Sequence, residues 1–295
     1  MENIDLVRIN FNEGQLLFLN LCLAFLMFGV ALDIKLEDFR NIFKKPKAPI
    51  VGMISEYLLL PILTLILIAI LKPMPSLAMG MILIAVCPGG SVSNFMVHLS
   101  KGNAALSVML TSITTLAAII ITPLAFSFWS SLSPETASLR AEIIVEPQRM
   151  VSTIVQLVLI PVALGMAVNH YFAEFTRKIE RPVRWLSILI FLGFVVFAVA
   201  GNYENIKAYL SIVFFLVLIH NGLSLAMGYG FARLNRLNER DSRAISIETG
   251  IQNTGLGLIL VFNFFDGIGG MAMILAWWGV WHLISGFLLS LIWRK

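Results

Sequence analysis

The stretch AVCPGGSVSN, residues 85–94, decides how this chain folds. It lies inside an apolar run that is otherwise long enough for a membrane-spanning helix, about 20 residues. A proline and two glycines interrupt the run, and two serines and an asparagine follow them. An unsatisfied backbone group in hydrocarbon costs several kcal/mol, so such a break must line a cavity or be covered by protein. The stretch therefore predicts a discontinuous membrane helix rather than a simple kink.

The composition is typical of an integral membrane protein. Of the 295 residues, 58% are hydrophobic and 13% are charged, whereas soluble domains carry roughly 25% charged residues. The net charge of +4 does not indicate a nucleic-acid partner, because the basic residues lie in short segments between apolar runs. Cys22 and Cys87 both lie within apolar runs, so neither a disulfide framework nor a cysteine-based zinc site is expected.

Nine segments are apolar and long enough to span a bilayer. They are 15–33, 46–71, 75–100, 103–131, 149–171, 183–201, 206–232, 241–265 and 268–293. Of the 21 lysines and arginines, 16 lie on one side of this arrangement and 5 on the other. Because basic loops stay inside, we expect the N-terminus outside, the C-terminus in the cytoplasm, and a multi-pass location in the cell (inner) membrane. The longest connection, 132–148, is polar and acidic and divides the spans into four and five.

A second interruption occurs in the eighth span, at SIETGIQNTG, residues 246–255. Like the first, it mixes glycines with side-chain oxygens and amides near the middle of its span. Paired interrupted spans in the two halves of a chain are the best sequence indication of a transporter site built from an inverted repeat. Two ordinary helix kinks packed by neighbouring helices are the alternative.

Two acidic residues indicate what such a site would bind. Glu248 lies in the eighth span and Glu56 in the middle of the second, and no lysine or arginine lies in the interior of any span. Since an unpaired charge is unfavourable there, a proton or a metal cation must neutralise it. The oxygens of Ser107, Thr111 and Gln252 suit a hard cation, and unwound carbonyls at a helix break commonly coordinate sodium.

The second half of each broken helix would begin near the membrane centre with residue types that cap helices. These are Ser91, Ser93 and Asn94 in the third span, and Asn253 and Thr254 in the eighth. Helix N-termini present free N–H groups and partial positive charge, which favour an anion. The residues alone thus predict a cation-coupled carrier of an organic anion.

The chain resembles the bile acid:sodium symporter (BASS) family over nearly its whole length. The resemblance is carried by MFGVALDIKLEDF at 27–39, CPGGSVSNFMVHLSKGNAALSVMLTSITTL at 87–116, HNG at 220–222, IETGIQNTGLG at 247–257 and WHLISG at 281–286. It implies an all-α fold of nine transmembrane helices with two crossed discontinuous helices. It also implies a single transporter unit, 1–295, in which a panel moves against a core. The core would comprise about 46–131 and 206–293, and the panel about 15–33 and 149–201.

The resemblance also implies two sodium ions and an organic-anion substrate. The first sodium would be held by Ser93, Asn94, Ser107, Thr111 and Glu248. The second would be held by Glu248, carbonyls near Thr249 and Ile251, Gln252, and a second-span side chain that corresponds to Glu56. Substrate would lie near Ser91 and Asn253. We expect a monomer in the lipid bilayer, without enzymatic activity.

Two positions depart from the family pattern. Glu56 stands where relatives usually have glutamine, so a second carboxylate could tighten the second sodium, favour proton coupling, or stay protonated and behave almost as the amide. Leu283 in WHLISG stands where relatives often have asparagine, and loss of that amide favours a smaller or more apolar anion over a bulky bile acid. The substrate could be a bile-acid-like steroid, a keto or hydroxy acid such as pantoate, or a sulfated compound, of which we favour a small organic acid.

Three other functions remain open from the sequence. Cys87 is compatible with an arsenite-type exporter of the related superfamily. A membrane enzyme would need a serine with a positioned histidine or paired aspartates, and no such pattern accompanies His98, His220 or His282. A receptor that kept the cation sites and lost transport is the third.

Overall fold

A computed structural model of the chain describes residues 4–9, 13–32, 46–142, 147–201 and 203–294. Most of the basic segment 34–47, on which the predicted orientation partly depends, lies outside these residues, as do residues 143–146 of the acidic connection. Every regular element in the described ranges is helical.

Helices lie in the described part of each apolar segment, and one more, α6, lies in the connection 132–148. They are α1 (Glu13–Ala31), α2 (Lys47–Ile54, Ser55–Leu59 and Leu60–Leu71), α3 (Pro75–Val86), α4 (Val92–Leu99), α5 (Ala104–Ser131), α6 (Ala137–Glu142), α7 (Pro147–Ile154, Val155–Leu159 and Ile160–Tyr171), α8 (Ala173–Gly201), α9 (Tyr203–Leu234), α10 (Glu239–Gly250), α11 (Thr254–Phe264) and α12 (Gly269–Arg294). Five stretches are each long and apolar enough to cross a membrane: Lys47–Leu71, Ala104–Ser131, Gln148–Tyr171, Tyr209–Leu234 and Gly269–Arg294. The chain is therefore an all-helical membrane protein.

The two predicted interruptions are confirmed. The third span is divided into α3 and α4 by residues 87–91, and the eighth into α10 and α11 by residues 251–253. Helices α3 and α11 are apolar on every side and almost wholly buried, as a helix at the centre of a membrane bundle must be. α3 packs against α12 and α5, and α11 packs against α12 and α1. The breaks consequently lie in the interior of the bundle.

A wide π-helical turn lies in the middle of both α2 and α7, at Ser55–Leu59 and Val155–Leu159. A proline follows each turn two residues later, at Pro61 and Pro161. Proline cannot donate the backbone bond that an α-helix requires, and the wider turn accommodates the loss. In α2 this turn carries Glu56.

The helix α8 differs from the prediction, because it begins at Ala173 rather than near residue 183. Hydropathy marks only the apolar part of a helix. The charged residues that precede the apolar part are mostly good helix formers, so the helix also includes them and begins earlier.

The short segment 4–9 packs on one end of the bundle. The amide of Ile9 donates to the carbonyl of Gly267, and the amide of Gly269 donates to that of Val7, both at 2.8 Å. Gly267 has φ +60°, and a side chain there would collide with the backbone of Ile9. Asp5 accepts a bond from the amide of Ser76 at 2.9 Å and so caps α3 from a distant part of the chain.

Candidate functional site

The linkers of the two helix breaks, residues 87–91 and 251–253, lie against each other and satisfy one another's backbone groups; we call this meeting point the crossing. The amide of Gly90 donates to the carbonyl of Ile251, and the amide of Asn253 donates to that of Pro88, each at 2.8 Å. Gly89 and Gln252 form an antiparallel bridge between these bonds. This pairing removes the penalty that either linker would meet alone in hydrocarbon. The break at residues 85–94 is thus half of a paired crossing.

Polar side chains from two helices converge on Glu248 of α10 beside the crossing. They are Ser93 and Asn94 from α4, and Ser107 and Thr111 from α5; we call these four residues and Glu248 the Glu248 cluster. The hydroxyl of Thr111 lies 3.0 and 3.2 Å from the two carboxylate oxygens, and the hydroxyls of Ser93 and Ser107 contact Oε1. Glu248, Ser93 and Ser107 are fully buried.

The Glu248 cluster has more acceptor oxygens than hydroxyl protons. Two carboxylate oxygens, one amide oxygen and three hydroxyl oxygens share the three hydroxyl protons. Ser107, for example, lies within bonding distance of both Glu248 and the Asn94 amide oxygen (2.8 Å), but it can donate to only one of them. Oxygens that converge without enough protons form the kind of environment that a hard cation occupies.

Glu56 enters the same region from α2. Its carboxylate is 1% exposed, and neither oxygen has a hydrogen-bond partner among the described residues. The oxygen Oε1 of Gln252 is buried and unpartnered in the same way. A Cβ added at Gly89 would lie 2.5 Å from Oε2 of Glu248 and 3.7 Å from Oε2 of Glu56, so both carboxylates face this glycine.

No buried lysine or arginine balances the two carboxylates in the described part of the bundle. The buried polar and charged residues of these ranges include Glu56 and Glu248 but no lysine or arginine. A buried carboxylate without a counter-charge is unfavourable by several kcal/mol. The site must therefore take up positive charge from outside the protein, as a cation or as a proton.

A further set of polar contacts fixes the crossing in place. Ser55 and Thr249 share a hydrogen bond of 2.7 Å between their hydroxyls. Asn221 donates to the carbonyl of Gly250 at 2.7 Å and accepts from Ser285 of α12 at 2.7 Å. Thr249 was predicted through its carbonyl, whereas no role was predicted for the side chains of Ser55, Asn221 and Ser285.

The two carbonyls expected at the second cation site each accept one hydrogen bond. That of Thr249 accepts from Nε2 of Gln252 at 2.9 Å, and that of Ile251 accepts from the amide of Gly90 at 2.8 Å. A carbonyl oxygen has two lone pairs, so each retains one for a further ligand.

The residues expected to face substrate flank the crossing. Ser91 is half-buried at the start of α4, and its side chain makes no capping hydrogen bond. Asn253 begins α11, where its side-chain oxygen accepts from the amide of Leu256 at 3.0 Å. Its Nδ2 lies 3.7 Å from the sulfur of Met27 in α1. The polar surface near Asn253 therefore faces α1.

The remaining candidate residues lie in different surroundings. Cys87 is 3% exposed at the end of α3, and its sulfur packs 3.5 Å from the Cβ position of Gly257. His220 is buried, and its Nε2 lies 2.8 Å from the Thr64 hydroxyl. Because Thr64 donates its only proton to the carbonyl of Leu60, His220 must donate from Nε2. The hydrogen bond joins two helices, so it gives His220 a role in helix packing.

Comparisons with known proteins agree with this architecture. The family model for the Sodium Bile acid symporter family matches residues 20–209. The chain is 33% identical to the uncharacterized sodium-dependent transporter YocS of Bacillus subtilis, over 94% of this chain and 83% of that protein. It is 32% identical to the probable chloroplastic sodium/metabolite cotransporter BASS2 of Oryza sativa, over 82% of this chain and 56% of the rice protein. It is 27% identical to the human ileal sodium/bile acid cotransporter, over 81% of this chain and 67% of that protein.

The family match covers more than half of the chain, and the similarity to YocS extends over most of both sequences. The chain therefore belongs to the Sodium Bile acid symporter family, a family of sodium-dependent membrane transporters.

Proposed function

We propose that the chain is a sodium-coupled symporter of a small organic anion that works by alternating access. The observation that carries this proposal is the crossing, where two buried carboxylates meet several oxygens that share too few hydroxyl protons, and where the described buried residues include no lysine or arginine. We further propose nine membrane spans with the N-terminus outside. The names of the similar proteins support sodium as the coupling ion.

The first sodium would occupy the Glu248 cluster. A cation there coordinates the oxygens directly, and each hydroxyl then needs its proton for only one acceptor. Five protein residues, Ser93, Asn94, Ser107, Thr111 and Glu248, supply the ligands. Three helices converge on this point, so a bound cation would hold α4, α5 and α10 together.

The second sodium would lie on the other side of Glu248, towards Glu56. Its ligands would be Glu56, Glu248, the side chain of Gln252, and the free lone pairs of the Thr249 and Ile251 carbonyls. The unpartnered oxygens of Glu56 and Gln252 support this assignment. Two sodium ions would balance the two buried carboxylates.

Charge balance then explains why substrate would bind after sodium. An empty site presents two buried negative charges that repel an anion. Once both are neutralised, the positive ends of the half-helices α4 and α11 dominate the local field. The anion would lie beside Ser91 and Asn253. We favour a small organic acid such as pantoate over a bile-acid-like steroid, because Leu283 provides no polar contact.

The movement that carries substrate across would separate two parts of the chain. We assign the core to about residues 46–131 and 206–293, and the panel to about 15–33 and 149–201. Sodium binding orders the crossing, the anion fills the gap beside it, and the loaded core then moves against the panel.

The experiment is a thermal-stability screen of the purified protein in sodium chloride against choline chloride at equal ionic strength. We expect sodium to raise the melting temperature, because a ligand that binds only the folded state stabilises it. Glu248→Gln should abolish most of this rise. Candidate anions are then tested in both salts. They are keto acids, hydroxy acids including pantoate, sulfated compounds and bile acids.

The proposal requires that an anion stabilise the protein in sodium and much less in choline. Equal melting temperatures of the wild type in the two salts would refute sodium coupling. Stabilisation by sodium, followed by failure of every purified anion to move across proteoliposomes, would instead favour a receptor.

A further inference from the structure

One arginine joins the ends of three helices near the crossing. Arg243 lies in α10, and its Nη1 donates to the carbonyl of Ser100, just after α4, at 2.8 Å. The same nitrogen donates to the carbonyl of Trp293, near the end of α12, at 2.9 Å. These carbonyls have no partner within their own helices, and cations at helix C-termini are favourable. Arg243 thus satisfies two helix ends at once.

Neighbouring side chains hold Arg243 in this position. Its Nε donates to Glu239 at 3.0 Å, and the hydroxyl of Tyr229 donates to the other oxygen of Glu239 at 2.9 Å. The guanidinium lies 5.8 Å from the ring centroid of Trp293, which stacks on Tyr229. We call Arg243, Glu239, Tyr229 and Trp293 the Arg243 clamp.

The charge on Glu239 is maintained within this clamp. Burial raises the pKa of its carboxyl, but the hydrogen bonds from Arg243 and Tyr229 and the nearby arginines outweigh that effect, so its pKa lies below the ordinary value. Glu239 is therefore an anion at neutral pH, and it orients the guanidinium towards the two carbonyls.

The start of α5 is attached to the same end of α10. The amide of Asn103 donates to the carbonyl of Arg240 at 3.0 Å, and its side chain donates to Asp241 at 2.6 Å. All three helices that form the Glu248 cluster are therefore joined here. Glu248 lies five residues after Arg243, about 7.5 Å further along α10. Ser93 and Asn94 lie at the opposite end of the short helix α4.

We propose that Arg243 is a positioning residue for the cation site. It touches neither carboxylate of the crossing in any contact given above; it fixes the spacing of α4 and α10, and so the spacing of the oxygens that a cation would bind. This inference rests on the proposed function, because it assumes that the Glu248 cluster binds sodium. Lysine cannot replace arginine fully, since its single ammonium lacks the planar arrangement of donors.

The test measures the sodium concentration for half-maximal stabilisation in the wild type, Arg243→Gln and Arg243→Lys. Sodium chloride is exchanged for choline chloride at constant ionic strength, and no anionic substrate is needed. The matched control is Arg240→Gln, which removes the same charge from an exposed residue three positions earlier in α10.

We expect Arg243→Gln to raise the sodium midpoint by about tenfold or more, as loss of hydrogen bonds from a charged group implies. Arg243→Lys should give a smaller increase, and Arg240→Gln should stay within about twofold of the wild type.

A purely structural role of Arg243 would lower the melting temperature equally in both salts and leave the sodium midpoint unchanged; that result overturns the proposal. If Arg243→Gln does not fold, the sodium midpoint of Arg243→Lys tests the proposal by itself. A wild type that does not respond to sodium refutes the proposed function, whereas a responsive wild type with unaltered variants refutes only the positioning role.

Discussion

At the scale of single residues, the hydroxyl of Ser107 shows how the Glu248 cluster lacks protons, because it lies within bonding distance of two acceptors, Glu248 and the amide oxygen of Asn94. The sequence indicates Glu248, Ser107 and Thr111 because polar side chains inside an apolar span are unfavourable unless they have a binding partner. Sequence could not show that Ser107 has two acceptors for one proton, since that depends on how α4, α5 and α10 converge. Asn221 was missed for a similar reason: its partner, the carbonyl of Gly250, is exposed only because α10 ends there.

Glu56 is the residue whose substitution distinguishes cation binding from packing. In Glu56→Gln the neutral amide removes an uncompensated buried charge, so the variant should be more stable than the wild type in choline chloride. It should also respond less to sodium, because a carboxylate ligand is lost. The expected pattern is a smaller difference in melting temperature between the two salts.

The control for this substitution is Glu174→Gln, which changes the same group on the exposed surface of α8. It should leave the responses to both salts unchanged. An identical cation profile in Glu56→Gln would exclude Glu56 from the cation site. A response to sodium that persists while the pH dependence of stability changes would assign Glu56 to a proton instead.

At the scale of helices, the sequence located both interruptions to within a few residues. A proline and glycines weaken a helix wherever they occur, so the positions of the breaks are a local property. The pairing of the two linkers is not local, since Gly90 and Ile251 are joined only in the folded bundle. The different roles of Gly89 and Gly90 also become visible only there.

Substitution of these two glycines should separate cation binding from folding. In Gly89→Ala the added methyl group would meet Oε2 of Glu248, the end of a flexible side chain, at 2.5 Å. The side chain can move, so we expect a folded protein with a strongly weakened sodium response. In Gly90→Ala the methyl group would meet the carbonyl oxygen of Gln252 at 2.9 Å. This backbone cannot move without opening the crossing, so we expect a lower melting temperature in both salts.

Gly230→Ala is the matched control, because the Cβ position there has open space around it. Alanine is favoured over glycine in a helix by up to about 1 kcal/mol, so this variant should be as stable as the wild type or slightly more so. Equal effects of Gly89→Ala and Gly90→Ala on the sodium response and on stability would contradict the separate roles assigned to these residues.

At the scale of the whole molecule, two contacts between distant parts of the sequence were not predicted. The segment 4–9 reads as a short polar and apolar mixture, yet it pairs with the turn before α12 and caps α3. Likewise Asn20 of α1 and Asn263 of α11 exchange reciprocal amide hydrogen bonds of 3.0 and 3.2 Å. Neither asparagine has a local pattern that indicates its partner.

The Asn20–Asn263 pair connects the proposed panel, which contains α1, with the proposed core, which contains α11. Hydrogen bonds between membrane helices contribute on average about 0.6 kcal/mol each, so a relative movement of the two parts would break this pair at a modest cost. A double-mutant cycle of Asn20→Leu and Asn263→Leu measures the coupling through the melting temperature in choline chloride. Each single variant leaves one half-buried amide without its partner in the other helix and should be destabilised. The double variant should be less destabilised than the two singles together, by about 1 kcal/mol. Additive effects would mean that the two amides do not interact in the folded protein, and that the contact between α1 and α11 depends on apolar packing alone.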